Sequence, residues 1–159
     1  MDITKSTYII DLTQDFNDIN KNISKSLRRN INYSKNKLLP FTNRGMLQVF
    51  TIQNKEYKYI SMIGVKIKDK ETISLNGMCN NELYNIYDGY ALLIKEAIIW
   101  AKEKGFKKFD LGGVALNPTK QQIKINNFKK RFGGESIIRK EPCNLIKLIK
   151  WRFKKYFKK

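Results

Sequence analysis

The residues of this chain that could do chemistry fall in one stretch. Gly105-Phe106-Lys107-Lys108-Phe109-Asp110-Leu111-Gly112-Gly113 reads as a helix stop and a short strand ending in a carboxylate and a glycine pair. Asn127-Phe128-Lys129-Lys130-Arg131-Phe132-Gly133-Gly134 follows as a basic, aromatic turn with a second glycine pair. Charge set beside glycine backbone is where a ligand can approach the main chain closely. The residue types limit the reaction. The chain has no histidine, and its two cysteines, Cys79 and Cys143, make no metal spacing. Ser-His and Cys-His nucleophile systems and His-ligated metals are therefore excluded, and no metal site is expected. Catalysis must rest on Lys, Arg, Tyr, carboxylates or backbone amides.

Lysine and arginine outnumber acids 32 to 14, a net charge of +18 that implies a polyanionic partner: tRNA, a nucleotide-linked or lipid-linked phosphate, coenzyme A or an anionic membrane face. The chain is also crowded with Asn and Ile, as an AT-rich coding bias would produce, so composition accounts for part of the excess. By composition alone Lys129 is a surface lysine in a Lys/Arg run. Asp110 either accepts a proton from an amine or bonds nearby turn amides. A helix face carrying Lys25, Arg28 and Arg29 either clamps a phosphate or is simply solvated. Gly112 and Gly113 fit a turn at least as well as a ligand cradle.

The elements that must position these residues follow from periodicity. Tyr8 to Leu12 reads as a strand, and Thr13 or Asp15 caps a helix with Phe16, Ile19, Ile23, Leu27 and Ile31 at helical spacing. Pro40 and Asn43-Arg44-Gly45 end that unit. Leu47 to Ile52, Tyr57 to Lys68 and Thr72 to Met78 read as an antiparallel meander turning at Asn54-Lys55 and Lys68-Asp69-Lys70. Leu93, Ile94, Ala97, Ile98 and Ala101 mark a helix over 90–104 that Gly105 stops, with a strand from Phe106 to Leu111 after it. Pro118 opens a helix over 119–130, and Ser136 to Lys140 is a last strand. This is an α+β plan in one domain, 1–159, and 42% hydrophobic residues can fill its core. Residues 144–159 read as a basic amphipathic helix that packs on the core or contacts a membrane surface or RNA. The polar start, and the lack of an apolar run long enough to span a bilayer, lead us to expect a cytoplasmic protein.

Three segments together resemble a known family. They are Tyr8-Ile9-Ile10-Asp11-Leu12 followed by Ser24-Lys25-Ser26-Leu27-Arg28-Arg29-Asn30-Ile31, the helix from Leu92 to Gly105 with the Phe109-Asp110-Leu111-Gly112-Gly113 strand end, and Asn127 to Glu135. In order and spacing this pattern is similar to the second lobe of FemABX peptidyltransferases. The resemblance implies a GNAT-like mixed sheet flanked by helices, and transfer of an aminoacyl or acyl group onto an amine in peptidoglycan precursor synthesis. It places Phe128 and Lys129 at the reaction centre, the lysine stabilising developing negative charge, with Asp110 beside them. Lys25, Arg28, Arg29, Gly112, Gly113 and Arg131 are the expected substrate-binding or phosphate-binding set. The implied donor is aminoacyl-tRNA, the acceptor a phosphate-bearing cell-wall precursor, and no cofactor is permanently bound. Peripheral contact with the inner face of the membrane through 144–159 is a further expectation.

Two other readings stand beside it. One is a single-lobe acyltransferase using acyl-CoA, although Asn80 to Tyr90, with only Gly89, makes a poor pyrophosphate loop. The other is a non-catalytic remnant that binds RNA or membrane. Members of the family have two lobes, whereas this chain begins near the start of the second. Its passage from Ser34 to Leu47 is also short for the helical segment expected there. Part of the acceptor site is therefore expected to be missing, and the chain reads as a trimmed single-lobe transferase, as half of an enzyme completed by a partner lobe or chain, or as an inactive remnant.

Overall fold

In the computed structural model, residues 2–35, 39–43, 48–53, 59–80 and 89–142 are described. The Asn54-Lys55 turn, the 81–88 part of the loop before the central helix and the 144–159 helix expected from the sequence lie outside them. Among the described residues the elements run β1 (Asp2–Asp11), α1 (Phe16–Asn22), α2 (Lys25–Lys35), β2 (Leu39–Asn43), β3 (Gln48–Gln53), β4 (Tyr59–Ile67) and β5 (Thr72–Asn80). They continue with α3 (Tyr90–Glu103), β6 (Lys108–Val114), α4 (Lys120–Lys130) and β7 (Glu135–Pro142).

The strands form one sheet in the order β2-β3-β4-β5-β6-β1-β7. Every neighbouring pair is antiparallel except β5 and β6. A parallel pair needs a crossover, and α3 provides it, burying Ala91, Leu92, Leu93, Ile94, Ala97, Ile98 and Ala101. The α+β mixed sheet is the fold class expected. Gly105, at φ 81°, ends α3 as expected, with the Gly105 and Phe106 amides donating to Lys102 O and Ala101 O. The capping box of Thr119 and Gln122 starts α4 one residue after Pro118. Asp69 closes the β4–β5 turn by accepting from the Glu71 and Thr72 amides, and these bonds hold its pKa below the usual carboxylate value.

Three boundaries differ from the sequence expectation. The helix expected to run from Phe16 to Ile31 is broken at Ile23, which takes φ −65° and ψ 131°, and Ser24 Oγ accepts from the Leu27 amide to start α2 afresh. Arg28 donates from Nη1 to Asn20 O and Lys21 O, satisfying the carbonyls that the break exposes. Ile19, Ile23, Leu27 and Ile31 are buried on both sides of the break, so their spacing carried no sign of it. Second, β2 contains Pro40 and lies at the sheet edge, the one place in a ladder that tolerates a missing N–H. Third, β1 starts at Asp2 rather than Tyr8, its polar first half paired along β7 from Asp2↔Pro142 to Ile9↔Glu135.

The turn from α4 into β7 needs its glycines for close approach. A Cβ on Gly133, at φ 78°, would lie 2.4 Å from Asn22 O, and one on Gly134 would lie 2.8 Å from Ile9 O. We expect Gly133→Ala to destabilise the fold by about 3 kcal/mol, since left-handed backbone and overpacking each cost a non-glycine residue. Urea unfolding would measure it, and a loss below about 0.5 kcal/mol, the scale of an ordinary surface change, would contradict the packing described.

Candidate active site

The β5–β6 ladder is short. Its parallel register runs from Thr72↔Lys108 to Ser74↔Asp110, whereas β5 continues to Asn80 and β6 to Val114. Parallel strands that part company leave unpaired backbone and an opening between them. The N-terminal half of α3 and the C-terminal half of α4 border that opening. Between them lies a half-open cavity of about 310 Å³, lined by Leu75, Met78, Tyr90, Ile94, Lys124, Ile125, Phe128 and Lys129.

Lys129 reaches back from α4 and donates from Nζ to Gly113 O at 2.7 Å. One turn earlier in the helix, Asn126 Nδ2 donates to Ala115 O at 3.0 Å, so two bonds pin α4 to the end of β6. Burial pulls the Lys129 pKa below its ordinary 10.5, and the Asp110 charge opposes that pull. An ammonium has three N–H bonds. Among the described residues Gly113 O is its one acceptor, which leaves donors for a substrate oxygen. Phe128 is half-buried, lines the cavity and meets the fully buried Phe132 edge-to-face at 5.4 Å. The i, i+4 pair thus serves core and cavity together. Burial also raises the Tyr90 pKa above its ordinary 10, with a smaller contribution from the neighbouring Cys79.

Asp110 is 3% exposed and fully engaged. Oδ1 accepts from Thr7 Oγ1 and from the Gly112 amide at 2.8 Å, and Oδ2 accepts from Lys68 Nζ at 3.0 Å. Thr7 Oγ1 also lies 2.9 Å from Gly112 O. Burial alone would raise the Asp110 pKa, but Thr7, Gly112 and Lys68 outweigh it and hold the carboxyl below its ordinary 3.8. This carboxylate is placed to hold strands and the Gly112 turn in position, not to take a proton from a substrate.

The expected binding set divides. Gly112, at φ 80°, and Gly113 stand at the strand end, one bonded to Asp110 through its amide and the other to Lys129 through its carbonyl. Lys25, Arg28, Arg29 and Arg131 are not among the described residues lining the cavity. Arg28 is committed to the carbonyls of α1, and Arg131 Nη2 donates to Ser26 Oγ at 3.1 Å while its own carbonyl accepts from the Ser24 amide. These bonds join the start of α2 to the end of α4. Sequence reasoning did not single out Thr7, Lys68 or the cavity wall from α3 and β5, because nothing local marks residues that meet only across the sheet. Among the described residues no group of three His, Cys, Asp or Glu could hold a metal, and no helix is long and apolar enough to cross a membrane.

No protein-family model matches the sequence, and no curated protein matches it either. Solved structures do match. FemX superposes with a TM-score of 0.72 at 9% identity, over 82% of this chain and 59% of its own. The chain shares the FemX fold. L-PGS from Bacillus licheniformis matches at 0.67 and 11% identity, over 94% of this chain and 64% of its own. The C-terminal domain (DUF2156) of a putative lysylphosphatidylglycerol synthetase from Agrobacterium fabrum matches at 0.64 and 11%, over 87% and 60%. The chain thus spans about three-fifths of the length of FemX and of these neighbours. The GNAT-like fold expected from the resemblance is present.

Asp110→Asn should cost about 2 kcal/mol at neutral pH, because it removes a buried charge partner from Lys68. The acid dependence distinguishes this from simple mispacking. A carboxylate with a lowered folded pKa stabilises fully above its unfolded value near 3.8, and that contribution is lost as pH falls through the folded value. The wild-type and variant stabilities should therefore converge as pH drops below about 4 in urea titrations, and a constant gap across that range would refute the role given to Asp110.

Proposed function

We propose that this chain is an aminoacyl transferase of cell-envelope synthesis, moving the aminoacyl group of an aminoacyl-tRNA onto an amine of a phosphate-bearing peptidoglycan precursor. The observation that carries this reading is the half-buried Lys129 ammonium at the β5–β6 opening, bonded to Gly113 O beside an apolar cavity. Its support from the fold is the likeness to FemX and to a domain named for joining lysine to phosphatidylglycerol.

In the proposed reaction the acceptor amine attacks the ester carbonyl of the donor. A C–N bond forms and the C=O π pair moves onto oxygen, where Lys129 donates to the oxyanion. As the intermediate collapses, the C–O bond to the tRNA ribose breaks and the proton lost by the amine ends on the ribose oxygen. A single preorganised donor of this kind is worth about 3 kcal/mol of barrier. Phe128 walls the carbonyl against water, and Asp110 acts as a positioning residue through Gly112. The excess of 18 positive charges favours tRNA and phosphate-bearing substrates whatever its origin. A further lobe or partner chain completes the acceptor side, and the reaction takes place at the cytoplasmic face of the membrane. No permanently bound cofactor is called for, since the donor is itself a substrate.

The test is single-turnover transfer from labelled aminoacyl-tRNA, or from acyl-CoA in a parallel arm, to a panel of amine acceptors. We expect Lys129→Ala to lower the rate by on the order of a hundredfold. The wild-type rate should also fall as pH rises through a Lys129 pKa lying below 10.5, a limb the variant lacks. Equal rates in the two proteins would remove Lys129 from the reaction. Transfer from acyl-CoA alone would replace the donor, and transfer from neither, with the completing lobe or partner chain present, would leave no transferase reading.

A further inference from the structure

We infer that the cavity beside Lys129 receives an uncharged, apolar acyl chain, and that it excludes a chain carrying a cation such as a lysyl group. The inference rests on the transfer reading and names the substrate class of that site. Six of the eight lining residues, Leu75, Met78, Tyr90, Ile94, Ile125 and Phe128, present aliphatic or aromatic surface. The two charged ones, Lys124 and Lys129, are both cationic. Among the described residues no carboxylate lines the cavity. Asp110, the carboxylate whose charge acts on Lys129, already holds Thr7, Gly112 and Lys68. A chain with a terminal ammonium would thus lose its water, find no carboxylate among the described lining residues and meet two like charges.

Volume sets the size of the guest. An apolar cavity of about 150 Å³ is enough to take up benzene. This one, at about 310 Å³, has room for a leucyl or phenylalanyl side chain or a medium-length linear acyl chain. With the chain against Ile94, Ile125 and Phe128, its carbonyl oxygen meets the Lys129 ammonium at the β5–β6 opening. The same chemistry could arrive as an acyl thioester or as an apolar aminoacyl ester whose α-amine is unprotonated, and the cavity accepts either.

Binding can be read without turnover. Octanoate, whose carboxylate stands in for the carbonyl oxygen, is titrated into the protein by calorimetry alongside acetate and 8-aminooctanoate. We expect octanoate to bind at least about tenfold more tightly than either, since acetate lacks the chain and the amino acid must bury its ammonium. Ile125→Asp places a carboxylate at a wall residue that is 45% exposed, so folding should tolerate it, and it should reverse the preference in favour of 8-aminooctanoate. Equal affinity for octanoate and 8-aminooctanoate, no detectable octanoate binding, or an unchanged preference in Ile125→Asp would each overturn the inference. In the transfer assay, leucyl-tRNA and octanoyl-CoA then distinguish ester from thioester delivery. Preferred transfer of lysyl from lysyl-tRNA would overturn the cavity assignment while leaving the transferase intact. Octanoate selectivity without any transfer, with the completing lobe or partner chain present, would uphold the cavity and remove the transferase.

Discussion

A carboxylate withdrawn from water must be paired or it costs several kcal/mol, and much of the molecule is arranged around the pairing of Asp110. The bonds come from Thr7 on β1, from the Gly112 amide on β6 itself and from Lys68 at the end of β4. Asp110 is also the last residue of β6 in register with β5. The group that ties β1, β4 and β6 together thus sits where the one parallel ladder ends and the opening begins. Beyond it, Gly112 turns through a positive φ, and the next carbonyl is the one that holds Lys129. The position of Lys129 is set by a chain of hydrogen bonds from a buried charge, and rigidity of this kind is what a preorganised oxyanion donor would require.

The abundant positive charge is used less uniformly than a net value suggests. Arg28 closes the end of α1, Arg131 joins the start of α2, and Lys102 donates to Leu12 O and Gln14 O at the end of β1. These cations satisfy carbonyls and hydroxyls at element ends, where backbone acceptors lack partners of their own. Lys129 differs by being drawn partly into an apolar cavity, where burial works against its charge. Its half-burial separates it from the exposed Lys124, which lines the same cavity, and from the exposed Lys130, a distinction the sequence run alone does not make.

Elements whose signal is local were legible in the sequence. The apolar stripe of α3, its Gly105 stop, the Thr119 start of α4 and the β3-β4-β5 meander all follow from periodicity and capping residues that act within a few positions. The break at Ile23 was not legible, because Ile19, Ile23, Leu27 and Ile31 satisfy one helix and two equally well. The early half of β1 and the proline-bearing β2 were not legible either, since pairing with a neighbour, not alternation of their own residues, makes them strands. At the site, Phe128, Lys129 and the Gly112-Gly113 pair stood out as a cluster of types. Thr7 and Lys68 did not, because their part depends on meeting Asp110, 103 and 42 residues away in sequence, and Ile94 read only as part of a helix stripe.

By itself the sequence determined the α+β plan, the exclusion of histidine chemistry and the neighbourhood in which a cation and a glycine-bearing strand end would meet. Those features are set by residue type and by spacing within single elements. Only the tertiary structure decided that Asp110 is occupied, that Arg28 and Arg131 serve helix ends, and that Lys129 faces an apolar cavity. Each of those outcomes is fixed by which partner lies across the sheet, and hydrogen bonds and burial at that distance leave no mark on the local pattern.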